Sequence, residues 1–177
     1  LWEIFWALID AGAHNIDLVN PTHYAHVVAE ALSQPLPVPV VWNSGGYDRV
    51  ETLRALEGTV DIYLPDYKYP DARDAQCGAA DYPQVARAAI QEMVRQTGPY
   101  VLDQEGILQR GVVIRHLLLP GRLNQAKEVM DWVRATFPPH TVLFSLMSQY
   151  IPWGRAAEFP PLDRRLRKRE ARAAMAY

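Results

Sequence analysis

The chain has 177 residues, 49% of them apolar and 21% charged, with a net charge of −2; it is long enough for one domain with a sizeable core, and the charge argues against attraction to nucleic acid. No apolar run approaches the ~20 residues of a membrane span, and the apolar opening Leu1–Trp6 has neither the basic region before it nor the small-residue cleavage site after it of a signal peptide. A single cysteine, Cys77, rules out an internal disulfide framework and fits a reducing cytoplasm.

The chain starts inside a helix-like stretch: Ile4, Phe5, Leu8 and Ile9 follow helical spacing, and Ala11-Gly12-Ala13 closes it. A helix without a cap or a preceding strand carries the expectation that sequence is missing upstream. The strand Asn15–Val19 follows, then a helix from Tyr24 to Ser33 with Val27, Val28, Ala31 and Leu32 on one stripe. Next come a Pro-rich turn and the strand Val38–Trp42, which Pro39 shifts toward a start at Val40. A short helix Val50–Leu56 ends at Gly58, and Val60–Leu64 is the third strand.

After a longer connection, Tyr69–Asp81, the pair Tyr82-Pro83 opens a helix that runs to Gly98 behind an Asp81 cap. The strand Gly111–Leu119, a helix Asn124–Thr136 and the strand Thr141–Leu146 complete the alternation, and a Pro- and Arg-rich segment from Tyr150 ends in a helix from Pro161. Strand and helix alternate about every 25 residues, the rhythm of right-handed βαβ units. Five parallel strands in this order predict a partly closed barrel or an open doubly wound sheet, in one α/β domain over residues 1–177 with a C-terminal extension at 150–177.

Polar clusters close the strands at Asn20-Pro21-Thr22-His23, Asn43-Ser44-Gly45-Gly46, Asp66-Tyr67-Lys68, Arg115-His116 and Gln149-Tyr150. Parallel β/α proteins gather their working side chains at such ends. Asp66 and Lys68 alternate along a strand, so they share a face and can pair, hold a zwitterion or carry a Schiff base; the plainer alternative is a rim salt bridge. Asn43-Ser44-Gly45-Gly46 is either a backbone cradle for an anion or an ordinary βα turn. His23 can be base, ligand or helix cap, and His116, alone in an apolar strand, has the pattern of a satisfied structural residue.

The five histidines show no metal-ligand spacing, one thiol cannot build a thiolate cage, and no G-x-S-x-G elbow is present. Cys77 lies in a connection with no base adjacent in the sequence. The run of Arg164, Arg165, Arg167, Lys168, Arg169 and Arg172 can grip phosphate or form a solvated helix face, the latter favoured by the interspersed Asp163 and Glu170.

Five segments in one order carry a resemblance over nearly the whole chain: Asn15–Tyr24, Trp42–Tyr47, Val60–Tyr69, Ile114–Gly121 and Leu146–Tyr150. They resemble the radical S-adenosylmethionine superfamily, in the branch similar to pyruvate formate-lyase activating enzyme. The resemblance implies a partial (β/α)6 barrel, of which about five strands are present, and a [4Fe-4S] cluster held by a CxxxCxxC motif. The cluster binds S-adenosylmethionine and cleaves it to a 5′-deoxyadenosyl radical that abstracts hydrogen. It also implies an electron donor such as flavodoxin or ferredoxin, a protein substrate of the glycyl-radical type, no nucleic-acid or membrane partner, and a cytoplasmic setting.

By that resemblance, Asn43 and Ser44 line the S-adenosylmethionine pocket, Asp66 and Lys68 match a D-x-K segment whose lysine partners the methionine carboxylate, and Arg115, His116 and Gln149 fall on later strand ends. Thr22 and His23 stand where activating enzymes carry a Gly-Gly-Glu segment for the methionyl amine. The cysteine motif is absent from the chain. The resemblance therefore implies either that the first strand and its cluster loop lie upstream of Leu1, or that the form is degenerate. Two rival readings are a lyase or aldolase using Lys68 as an imine-forming amine, and a binding domain without cluster or catalysis.

Overall fold

The computed structural model describes residues 1–71 and 79–177; Cys77 falls outside them. In chain order the elements are α1 (Trp2–Asp10), β1 (Ile16–Val19), α2 (Ala25–Ala31), β2 (Val40–Ser44), α3 (Val50–Ala55), β3 (Ile62–Pro65), α4 (Tyr82–Thr97), β4 (Val101–Leu102), β5 (Leu108–Leu117), α5 (Leu123–Thr136), β6 (Leu143–Met147) and α6 (Lys168–Met175). No helix among the described residues is long and apolar enough to cross a membrane.

The strands β1, β2, β3, β5 and β6 pair in that order, all in parallel. β4 instead runs antiparallel to β5. This corrects the expectation of a partial barrel of about five parallel strands. The sheet has six strands and is mixed, and β1 and β6 stand at its two ends with no pairing between them among the described residues.

The cause is a hairpin. The Asp103 carboxylate accepts the amides of Glu105 and Ile107, each at 2.9 Å, and the Ile107 carbonyl accepts the Asp103 amide at 2.9 Å. That turn folds β4 back along Leu108–Arg110, so β6 joins β5 only from Val113 onward. Asp at the first turn position and Gly106 at φ +80° suit this geometry.

The doubly wound alternative fails as well. Register aligns Ile16 with Val40, Trp42 with Tyr63 and Tyr63 with Val112. These alternate residues share one core with Phe5, Val28, Leu53, Ile90 and Val129, one from each of α1 to α5. The helices therefore cover a single face of the sheet. Strand side chains alternate between faces, so Asp17, Asn43, Arg115 and Met147 belong to the other one. Residues beyond Tyr150 lie over part of that second face.

β2 begins at Val40, as the missing amide of Pro39 predicts; the Pro39 carbonyl still accepts the Ile16 amide at 2.9 Å. The C-terminal segment is irregular before α6, where a helix was expected from Pro161. It is pinned to the body at Gly121. The Glu170 carboxylate accepts the Gly121 amide at 2.9 Å, and a Cβ on Gly121 would lie 2.5 Å from Pro161 Cγ.

Candidate functional site

The second sheet face carries a continuous polar row across the carboxyl ends of four strands. At β1, the Asp17 carboxylate accepts the Asn43 side-chain amide at 3.2 Å. The Asn43 oxygen accepts Arg115 Nη2 at 2.7 Å, and the same Nη2 lies 2.9 Å from Asp66 Oδ1. Asp66 Oδ2 in turn lies 3.4 Å from Lys68 Nζ. Asn43 on β2, Arg115 on β5 and Asp66 just past β3 are thus one chain of contacts, and residues far apart in sequence meet because β2, β3 and β5 are neighbours.

Two backbone devices hold this row. Asp66 extends the β3–β5 pairing by a bridge to Arg115, with the Tyr67 amide donating to the Arg115 carbonyl at 2.8 Å. The Asp66 amide donates to the Ser44 carbonyl at 3.0 Å, which ties β3 to β2. The row borders a cavity of about 400 Å³. Asp66, Lys68 and Arg115 line it together with Leu117, Met147 and residues of the C-terminal segment such as Phe159. Arg115 Nε is buried and has no hydrogen-bond partner among the described residues, an uncommon state for a donor.

The other residues singled out by sequence fall elsewhere. Ser44 and Asn43 point to opposite sides, as neighbours on a strand must. Ser44 is buried and donates to Asp48 Oδ2 at 2.5 Å, while Thr22 donates to Asp48 Oδ1 at 2.6 Å. The buried Asp48 carboxylate therefore fastens the turns after β1 and β2 to each other, and Thr22 and Ser44 are occupied in doing so. His23 and Gln149 are exposed and are not among the residues lining the cavity.

His116 is buried on the helix side, its Nδ1 2.7 Å from the Tyr67 carbonyl oxygen. A carbonyl only accepts, so Nδ1 carries the proton. Burial pushes the imidazole pKa down from 6.5, only partly offset by that hydrogen bond and by Asp66. His116 props up the Tyr67 peptide between Asp66 and Lys68 and stays outside the cavity lining.

Sequence reasoning did not single out Asp17, Asp48 or Tyr82 as site residues. Asp48 had a readable signal, a carboxylate at the position before α3 and four residues after a strand-end serine. Among the described residues no group of three or more His, Cys, Asp or Glu is placed to hold a metal ion. With one cysteine in 177 residues, the chain cannot supply the three thiolates of a CxxxCxxC cluster site. The residues present do not fit a [4Fe-4S] cluster.

No family model matches the chain. An uncharacterized protein of Methanocaldococcus jannaschii is 30% identical over 166 residues, which cover 91% of this chain and 45% of that protein. The chain thus spans less than half the length of this relative.

Proposed function

We propose that this chain is the S-adenosylmethionine-binding portion of a radical S-adenosylmethionine protein. The support is one relationship: Asn43 and Lys68, both implied by resemblance to face the cofactor, are joined through Arg115 and Asp66 on one sheet face beside a cavity. A methionyl head group presents a carboxylate and an ammonium. Lys68 and Arg115 suit the carboxylate, Asp66 suits the ammonium, and the Asn43 amide suits a ribose hydroxyl. The unpartnered Arg115 Nε adds a donor for which no protein group competes.

For these 177 residues the reading stops at binding. The reductive chemistry needs cluster thiolates that the chain does not contain. Hydrogen abstraction, a glycyl-radical protein substrate, a flavodoxin or ferredoxin donor and a cytoplasmic setting are proposals for a protein that also carries those cysteines. Fold analogy alone supports them. An imine-forming role for Lys68 has less in its favour, because its side chain is 51% exposed and ion-paired with Asp66, whereas such amines work desolvated or beside another cation.

Calorimetric titration of the purified chain with S-adenosylmethionine, without iron, tests the reading. Saturable one-site binding is expected, weakened about tenfold in Asp66→Ala and in Lys68→Ala through loss of a charge-assisted contact. A folded chain that binds no S-adenosylmethionine overturns it.

A further inference from the structure

Resting on the reading of the polar row as a cofactor site, we infer that the adjoining cavity holds a second, small ligand: an organic acid with an apolar or aromatic body, which is the substrate class. The sheet face changes character as it crosses β5. Asp17, Asn43, Asp66 and Arg115 make its polar half, while Leu117 pairs in register with Met147 at the ends of β5 and β6. Both side chains line the cavity, as do Leu119, Tyr150, Phe159 and Leu162. An apolar, aromatic wall gains by covering hydrocarbon rather than a sugar or a charged head group.

The charge at its edges selects the ligand's sign. Two cations, Lys68 and Arg115, face one carboxylate, Asp66, at the inner end. Arg122 and Arg155 lie on the opposite wall, where Arg155 is already held by Glu158 at 2.7 Å. The excess is positive even after that pair is set aside, so a carboxylate end is favoured over a neutral or cationic one.

Size and preformation argue for a small molecule. About 400 Å³ lies near the lower end of the ~300–1,000 Å³ that ligand pockets span, and is too little for a folded protein loop. The covering segment is fixed by contacts that a ligand need not make. Tyr150 donates to the Leu162 carbonyl at 2.8 Å, Gly121 packs on Pro161, and Glu170 accepts from Arg164 at 2.8 and 2.9 Å. Trp153, which is 89% exposed, leaves an indole available at the rim.

The test uses the full chain and three probes of one shape: 3-phenylpropionate, its neutral amide, and 3-phenylpropylamine. Calorimetry is expected to show one-site binding of the acid, at least about fivefold weaker binding of the amide, and none of the amine. Phe159→Ala, a largely surface truncation, and Arg122→Gln are each expected to weaken the acid about fivefold while S-adenosylmethionine affinity stays within about twofold. Saturating S-adenosylmethionine should leave acid binding in place. Equal binding of all three probes, or displacement of one ligand by the other, overturns the inference. Binding of S-adenosylmethionine without the acid overturns the inference alone, and binding of the acid without S-adenosylmethionine overturns the cofactor reading alone.

Discussion

The phenolic oxygen of Tyr82, the first residue of α4, lies 2.7 Å from the Asp66 carbonyl oxygen, inside the turn that carries the site. It is also 3.0 Å from the Gly45 carbonyl and accepts the Lys68 amide at 3.0 Å. One hydroxyl thus serves the loop after β2 and both ends of the Asp66–Lys68 segment. Burial pushes its pKa far above the ordinary tyrosine value, so it remains a neutral donor and acceptor. Tyr82→Phe keeps the ring, which packs on Tyr69 and Tyr47, but strands the Lys68 amide and a carbonyl. We expect a loss of about 1–2 kcal/mol in urea unfolding, and weaker S-adenosylmethionine binding in a variant that is still folded. Unchanged stability would show that water replaces the hydroxyl.

Gly46 is the tightest point of the same turn. Its φ is +77°, and a Cβ there would run into the Asp66 carbonyl oxygen, which is backbone and cannot swing away. Gly45 next to it is different: a Cβ would meet only Lys68 Cε at 3.7 Å, ordinary contact. Gly46→Ala should therefore destabilise by more than about 2 kcal/mol, with Gly45→Ala close to wild type in the same urea series. Equal effects at the two positions would refute the steric account.

Much of the site was legible because strand alternation is local. Asp66-x-Lys68 places two side chains on one face, and the structure brings both to the cavity with Tyr67 buried on the other. The same rule works against the sequence pairing of Asn43 with Ser44, since adjacent strand residues must diverge: Asn43 joins Arg115 and Ser44 joins Asp48. Partners of long sequence separation were not legible. Nothing near Thr22 announces Asp48, and nothing near Asn43 announces Arg115. The parallel rhythm hid β4, because two residues make no periodic signal, although Asp103 and Gly106 marked its turn.

Buried His116 makes stability depend on pH near neutrality. Its folded pKa is depressed below 6.5 by burial, so the unfolded chain binds a proton more readily than the folded one. The stability tied to the neutral imidazole is fully present above pH 6.5 and is lost as pH falls below it. His116→Asn can still donate to the Tyr67 carbonyl but does not titrate. Between pH 7.5 and pH 5.5 the urea midpoint of the wild type should fall more than that of the variant. Parallel midpoints would mean that His116 is protonated as easily folded as unfolded.

Glu92 sets an acid limit on the opposite side of the molecule. Its buried carboxylate accepts Arg95 Nε at 2.9 Å, Arg95 Nη2 at 2.8 Å and Gln96 Nε2 at 2.9 Å, and Arg95 also reaches Glu57 at 2.7 Å. The Arg95 hydrogen bonds, then that of Gln96, bring the Glu92 pKa down from 4.5 to about 2, against the opposing effect of burial. A depressed carboxylate pKa means stability that is complete above pH 4.5 and lost as pH falls toward 2. Because Arg95 is half exposed, solvent screening holds the effect to roughly 1–2 kcal/mol. In calorimetry, Glu92→Gln should melt below the wild type at pH 6, and the gap should close progressively between pH 4.5 and pH 2.5. A gap of constant width across that range would assign the loss to packing of α4 on α3 rather than to the charge on Glu92.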